Sequence, residues 1–351
     1  MRVLKVIILA ASFIVLLFAS FLFYISITDF KPQEKETLSI SNNQLKEMPV
    51  GENISITTYN IGYAGLDKTQ DFFADGGERS RAESTESVQA NIDAVIDALD
   101  ITEAEILLLQ EVDQNSSRSH RIDQVELLKT YYPNYGYSFG INYKVPWVPV
   151  PLLNPMGKAL SGVMTLSRYN ITDANRFQLP GEEKWPVRLF ELDRCFTESR
   201  LKATNGKEVV LINLHLSAFD EGGIIRLQQL EYLKKHLEVE YEKGNYLIAG
   251  GDWNHNLPGT DPMTFESSEP WPFWLKNLPD DYHVKTYYWA VDSRVPTVRT
   301  LEKPYQDGYN FKAVIDGFLV SDNIEIISVN NVDTDFENTD HNPVNMIFSL
   351  K

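Results

Sequence analysis

The stretch "LIAGGDWNHN", residues 247–256, runs from an apolar segment through two glycines into Asp252, Trp253, Asn254 and His255. Asp and Asn are ordinary turn residues. A strand that ends by displaying them at its carboxyl edge also puts oxygen donors where open α/β sheets bind their ligands. The pattern recurs along the chain. "NISITTYN" closes on Asn60, "LLQEVD" offers Glu111, and "NLHLSAFD" presents His215. "VIDGFLVS" sets Asp316 among apolar residues, and "NTDHNPV" puts Asp340 and His341 just before the last apolar run. Carboxylate and amide oxygens suit a hard divalent cation. Histidine titrates near neutrality and suits proton transfer. A carboxylate held among apolar side chains must find a partner or shift its pKa. Each residue alone has a bland reading; all of them at strand ends point to one site.

The elements that must position them follow from hydrophobic period. "NISITTYNI" (53–61) alternates as a half-buried strand does. Val88, Ile92, Val95, Ile96 and Leu99 recur at helical spacing, giving an amphipathic helix over 84–99. Ile224, Leu227, Leu230, Leu233 and Leu237 mark a second helix ended by Gly244. Apolar runs at 105–111, 208–216, 246–250, 313–321, 324–329 and 343–350 read as strands. Strands and helices mixed in one unit of about 300 residues predict a single α/β domain around a large sheet core. Residues 142–158 and 258–290 read as long loops rich in aromatics and proline, a length usually functional or disordered.

The formal net charge of the 351 residues is −17. That argues against a broad basic face gripping nucleic acid. A single cysteine, Cys195, excludes an internal disulfide and a thiolate zinc cluster. Residues 6–27, "VIILAASFIVLLFASFLFYISI", carry no charge. As a helix they are about 33 Å long, enough to cross a bilayer core. The run exceeds the usual secretory-signal core of about 7–15 residues, so residues 1–28 read as an uncleaved signal-anchor. Arg2 and Lys5 favour a cytoplasmic amino terminus and an extracellular domain on a single-pass anchor in the cell membrane. Residues 29–52 are polar, with two prolines, and read as a mostly irregular linker to a catalytic domain over 53–351.

"TYNIG", "LLQEVD", "NLHLS", "GGDWN", "IDGFLVS" and "TDHNPV", in this order, resemble the motifs of the endonuclease/exonuclease/phosphatase superfamily, across residues 53–350. The resemblance implies a four-layer α/β/β/α sandwich with its site at one edge of two packed sheets. It implies Glu111, with Asn60 and Asp340, as ligands of Mg²⁺ or Mn²⁺. It implies Asp252 and Asn254 at the attacking water, His341 backed by Asp316 as acid/base, and His215 on the phosphate. "TDH" carries Thr339 where the family motif has Ser. In "DQNSSRSHRIDQ" (113–124), Arg118 and Arg121 are candidates to hold a phosphate or a second anionic group.

The activity implied is metal-dependent hydrolysis of a phosphoester by attack of water on phosphorus. A membrane anchor and the aromatic "EPWPFW" favour a phospholipid head group or a small phosphorylated compound, since Trp favours the lipid interface. The alternative is a membrane-tethered nuclease, which the acidic charge disfavours. A non-catalytic binding module is disfavoured because every expected site residue is present. No protein partner is inferred.

Overall fold

Alternation along the central strands decides the layers. In β3 (Ile106–Asp113), Leu107 and Leu109 point one way and Ile106 and Leu108 the other. The first pair packs under α2 (Thr85–Ile101) and α3 (Gln124–Tyr131); the second meets a second sheet through Leu211, Ile248, Phe318 and Val320. That sheet buries its other face beneath Leu230, Leu233 and Leu237 of α4 (Ile224–Glu242). The result is helix, sheet, sheet, helix, as expected. The computed structural model describes residues 2–282 and 284–351.

The first large sheet has six strands. From one edge these are Ile324–Asn331, Val344–Leu350, β2 (Ile54–Asn60), β3, β5 (Gly157–Ser167) and β4 (Gly136–Val148). The second has seven: β1 (Lys35–Thr37), β6 (Ile171–Gln178), β7 (Cys195–Lys202), β8 (Glu208–His215), β9 (Tyr246–Asp252), Asp316–Ser321 and Tyr287–Ala290. β2 and β3 are parallel, as are β8 and β9, so four strands deliver their carboxyl ends to one edge.

The space between the sheets is set by small and polar residues as well as apolar ones. Gln110 of β3 donates across the gap to Asn213 of β8 at 2.8 Å. A Cβ on Gly250 would stand 2.5 Å from the Phe318 ring and 3.0 Å from Leu108 of the opposite sheet. A Cβ on Gly251, at φ 147°, would stand 2.0 Å from the Leu214 carbonyl oxygen. The paired glycines are there because two sheets and a neighbouring strand close in on them.

The helices start and stop where the sequence predicts. Ser84 caps α2 and exchanges side-chain and backbone hydrogen bonds with Ser87, a capping box. Gly244, at φ 81°, follows α4. Three expectations need correction. Residues 142–148 belong to β4 rather than to a loop, because β4 is an edge strand, where Pro146 removes no ladder bond from a neighbour. The run 313–321 is broken: Lys312–Ala313 pairs with Val298–Arg299, and Asp316 opens a separate strand. The segment 29–52 is stitched to the domain rather than free. Lys35–Thr37 pairs with β6, and Met48 is fully buried between the sheets.

Candidate active site

Register brings the second sheet's residues together. His215 ends β8 beside Asp252, which ends β9, and Asp252 faces Asp316, the first residue of the antiparallel strand. Three residues more than thirty positions apart in sequence thus occupy one rung. The other sheet contributes Asn60, last residue of β2 and cross-strand partner of Gln110, and Glu111 beyond it. Glu111 adopts φ 54° inside the irregularity that separates Leu109 from Val112 in the pairing with β5. Such a bulge re-aims a side chain.

Asn60 bridges the two sheets. Its Nδ2 donates to Asp252 Oδ2 at 3.1 Å and to Glu111 Oε1 at 3.5 Å, while its Oδ1 accepts the Gly62 N–H at 3.1 Å. Asn254 sits in the left-handed region at φ 49°, which Asn tolerates. There its backbone N–H donates to Asp252 Oδ1 at 2.9 Å and its Nδ2 to the Leu216 carbonyl at 2.8 Å. Trp253 between them is structural: fully buried, donating to the Gly317 carbonyl at 3.1 Å and packed edge-on against Trp289.

His341 Nδ1 lies 2.9 Å from Asp316 Oδ2. Its Nε2 faces Asp252 Oδ2 and Asp340 Oδ2, each at 3.9 Å. Burial alone would lower the imidazole's pKa, but Asp316 and Asp340, with Asp252 behind them, carry it up to about 10. Burial and the neighbouring Asp316 push the Asp252 carboxyl up to about 7, against the pull of His341 and the Asn254 and Asn60 donors. His215 Nε2 stands 3.4 Å from Asp252 Oδ2. Burial, then Arg194 and His341, hold its pKa well below the usual range, so that ring is neutral. Burial and Glu111 raise Asp340, partly offset by His341 and Arg299.

The two arginines separate. Arg118 is buried in the cleft, but its guanidinium is already paired: to Asp113 Oδ1 at 2.9 Å and Glu111 Oε2 at 3.2 Å, with the face of Tyr63 at 4.0 Å. It orients Glu111 rather than standing free for an anion. Arg121 is exposed and lies outside the cleft lining. The expectation that it holds a phosphate is therefore not supported. Three residues carried no sequence signal of their own. Asp113 anchors Arg118, and Thr297 Oγ1 accepts the Asp316 N–H at 3.1 Å. Arg194 lines the same cleft as Asp252 and His215 with, among the described residues, no side-chain hydrogen bond or ion pair, and its Nη1 is buried without a partner.

The cleft measures about 270 Å³. Its floor is polar, built from Asn60, Glu111, Asp252, Asp340 and His341; its walls are apolar, with Phe72, Phe73, Val148, Met156, Phe190 and Phe219. Trp274 of "EPWPFW" closes another side and donates to Asp75 at 2.6 Å. The floor suits a hard divalent cation. Glu111, Asp252 and Asp340 all line it, three carboxylates at the foot of one cleft. Asn60 Oδ1 keeps one acceptor site beyond the one that the Gly62 N–H fills.

Two stacked sheets with carboxylates, amides and imidazoles gathered at one edge are the architecture of a phosphoesterase fold. The sequence profile of the Endonuclease/Exonuclease/phosphatase family matches residues 57–329, and the chain belongs to that family. Members are generally metal-dependent hydrolases acting on phosphoesters. Among solved structures, an endonuclease/exonuclease/phosphatase from Beutenbergia cavernae DSM 12333 matches with TM-score 0.60 and 16% identity, over 85% of this chain and 72% of that one. ANGEL2, a 2',3'-cyclic phosphatase in complex with adenosine-2',3'-vanadate, matches with TM-score 0.56 and 14% identity, over 91% and 99%. D. rerio TDP2, complexed with a single-strand DNA product, gives 0.54 and 13%, over 85% and 99%. At such identities the likeness speaks to the fold alone. No curated protein sequence matches the chain.

Proposed function

We propose that this protein hydrolyses a phospholipid head group or a small phosphorylated compound by attack of water on phosphorus. The observation that carries the reading is the two-sided cleft, with a carboxylate-rich floor under aromatic and aliphatic walls. Nucleic acid needs several basic contacts, whereas Arg118 is ion-paired and the chain carries −17.

Glu111, Asn60 and Asp340 would hold Mg²⁺ or Mn²⁺, which supplies charge neutralisation at the phosphoryl oxygens and at the leaving oxygen. The chain's own groups divide the remaining work. Asp252, held by the Asn60 and Asn254 donors, orients the water and takes its proton. Asn254 fixes the Asp252 carboxylate through its backbone N–H. His341, kept charged by Asp316, offers Nε2–H to a phosphoryl oxygen. Neutral His215 and the unpaired Arg194 complete the phosphate's surroundings, Arg194 taking the part expected of Arg121.

The test is a product screen with Mg²⁺ and Mn²⁺. Release of choline phosphate or inorganic phosphate from lipid and small esters is expected. Release of acid-soluble nucleotides from DNA or RNA, with the esters untouched, would replace this reading with the nuclease one.

We also propose that α1 (Arg2–Ile27) is retained as a single span with the domain outside the cell. Arg2 and Lys5 support that sidedness. A helix whose Ile25 is fully buried against the domain supports retention, since cleavage would expose that contact.

A further inference from the structure

The end of α1 does not project away from the domain. Phe21 stacks on Phe190, ring centroids 6.1 Å apart and 11° from parallel, and Ile25 is fully buried. Just beyond, Asp29 pairs with Arg188 at 3.4 Å, and Phe30 lies under Lys144 and Arg176 at 5.1 and 5.9 Å. The chain then joins the second sheet through Lys35–Thr37. No slack separates the helix from the catalytic unit.

Arg2 through Ser20, nineteen residues, are all exposed, and contact with the domain begins at Phe21. At 1.5 Å per residue that free stretch is about 28 Å long, close to the roughly 30 Å hydrocarbon core. If it is a span, the bilayer surface falls at the level of Phe21. On the loop that carries Phe190, two apolar side chains stand out among charged neighbours: Trp185 is 59% exposed and Val187 50%. Phe190 is also a wall of the cleft, so the contact that fixes the helix and the wall that guides substrate share one side chain.

We propose that the domain is seated on the outer surface of the bilayer its own helix spans, with Trp185 and Val187 in the head-group layer and the Phe190 wall of the cleft facing lipid. Substrate then reaches the site from the membrane plane, its phosphate on the polar floor and its apolar part along Phe190. This rests on the reading of α1 as a retained span and narrows the proposed substrate to a membrane phosphoester. Trp at an interface and long cations beside it favour such a seat.

The experiment uses the full chain in phosphatidylcholine vesicles with an environment-sensitive fluorophore on Val187→Cys or, as control, on Lys207→Cys; Cys195 is fully buried and does not label. Lys207 lies in the turn at the far end of β7. Lipids carrying a quencher near the head group should remove most of the Val187 signal and little of the Lys207 signal. A short Gly/Ser insert after Thr28, made together with Phe21→Ala to remove the helix contact with Phe190, should restore the Val187 signal and slow hydrolysis of vesicle-borne ester, with water-soluble ester hydrolysed as before. Equal, weak quenching at both positions, or an insert without effect on quenching, overturns the seat. Quenching as expected with no ester hydrolysed would leave the seat standing and overturn the hydrolase reading instead.

Discussion

Asp316 Oδ2 stands 2.9 Å from His341 Nδ1, and both side chains are sealed from solvent. A carboxylate behind an imidazole fixes which nitrogen faces the substrate and stabilises the charged ring. His341→Ala and Asp316→Asn should each lower kcat by at least about 100-fold, the low end for losing acid/base catalysis. The double variant should be little worse than His341→Ala, because residues acting as a unit are not additive. Multiplying losses, measured by steady-state kinetics on one ester, would refute the pairing.

Glu111→Ala should weaken divalent-cation binding, read by calorimetry, and excess Mg²⁺ or Mn²⁺ should recover part of the activity. Removing Glu111 also frees one contact of Arg118, so Arg118→Met should weaken cation binding as well, through the lost orientation of Glu111. Unchanged affinity in both variants would remove Glu111 from the metal site.

Arg194→Ala and Arg121→Ala discriminate between two arginines. Arg194 lines the cleft without a partner among the described residues, whereas Arg121 is exposed outside it. The first substitution should raise KM or lower kcat/KM by about tenfold or more, the scale of one charge-assisted hydrogen bond to phosphate. The second should leave both constants unchanged. The reverse ranking would restore the expectation drawn from "SSRSHR".

A chain beginning at residue 29 should fold, whereas one beginning at residue 53 should not hold the same stability. The shorter form loses the Lys35–Thr37 pairing and the fully buried Met48. Deleting a buried methionine side chain alone costs about 2–5 kcal/mol. Thermal unfolding of the two truncations, side by side, checks this; equal midpoints would mean that 29–52 contributes nothing.

Stability should fall on acidification between about pH 6.5 and pH 4 in part through His255. Burial pushes that imidazole down to about 4, although Nδ1–H donates to the Trp253 carbonyl at 2.7 Å. The unfolded chain therefore binds the proton first. The neutral ring's contribution is fully present above pH 6.5 and lost as pH falls to about 4, with a slope of at most about 1.4 kcal/mol per pH unit. His255→Asn should flatten this limb in denaturant titrations at several pH values; an unaltered slope would show that other groups carry it.

His215, Asp252 and Asn254 were legible because each closes an apolar run or follows one that does, and strand ends can be read from where hydrophobicity stops. The four layers were legible for the same reason. Arg118 and Arg121 were not separable, since the backbone turns left-handed at both His120 and Arg121, and that reversal decides which guanidinium points inward. Residues 142–148 looked like a loop because proline is read as a breaker, and only the sheet order shows that β4 is an edge. Met48 and Lys35–Thr37 were hidden inside a polar segment whose partners lie more than a hundred residues away.

The site's groups are divided between the sheets: Asn60 and Glu111 on one, His215, Asp252 and Asp316 on the other. Their separation is gauged by the layer between them, where Gly250 leaves room for Phe318 and Leu108 and Gln110 reaches Asn213. A single methyl at Gly250 would act as a shim. Each half-site keeps its own strand register, and the strain falls on the bridge between them, Asn60 Nδ2 to Asp252 Oδ2 at 3.1 Å. A position with no side chain thus sets the spacing on which the two-sheet site depends.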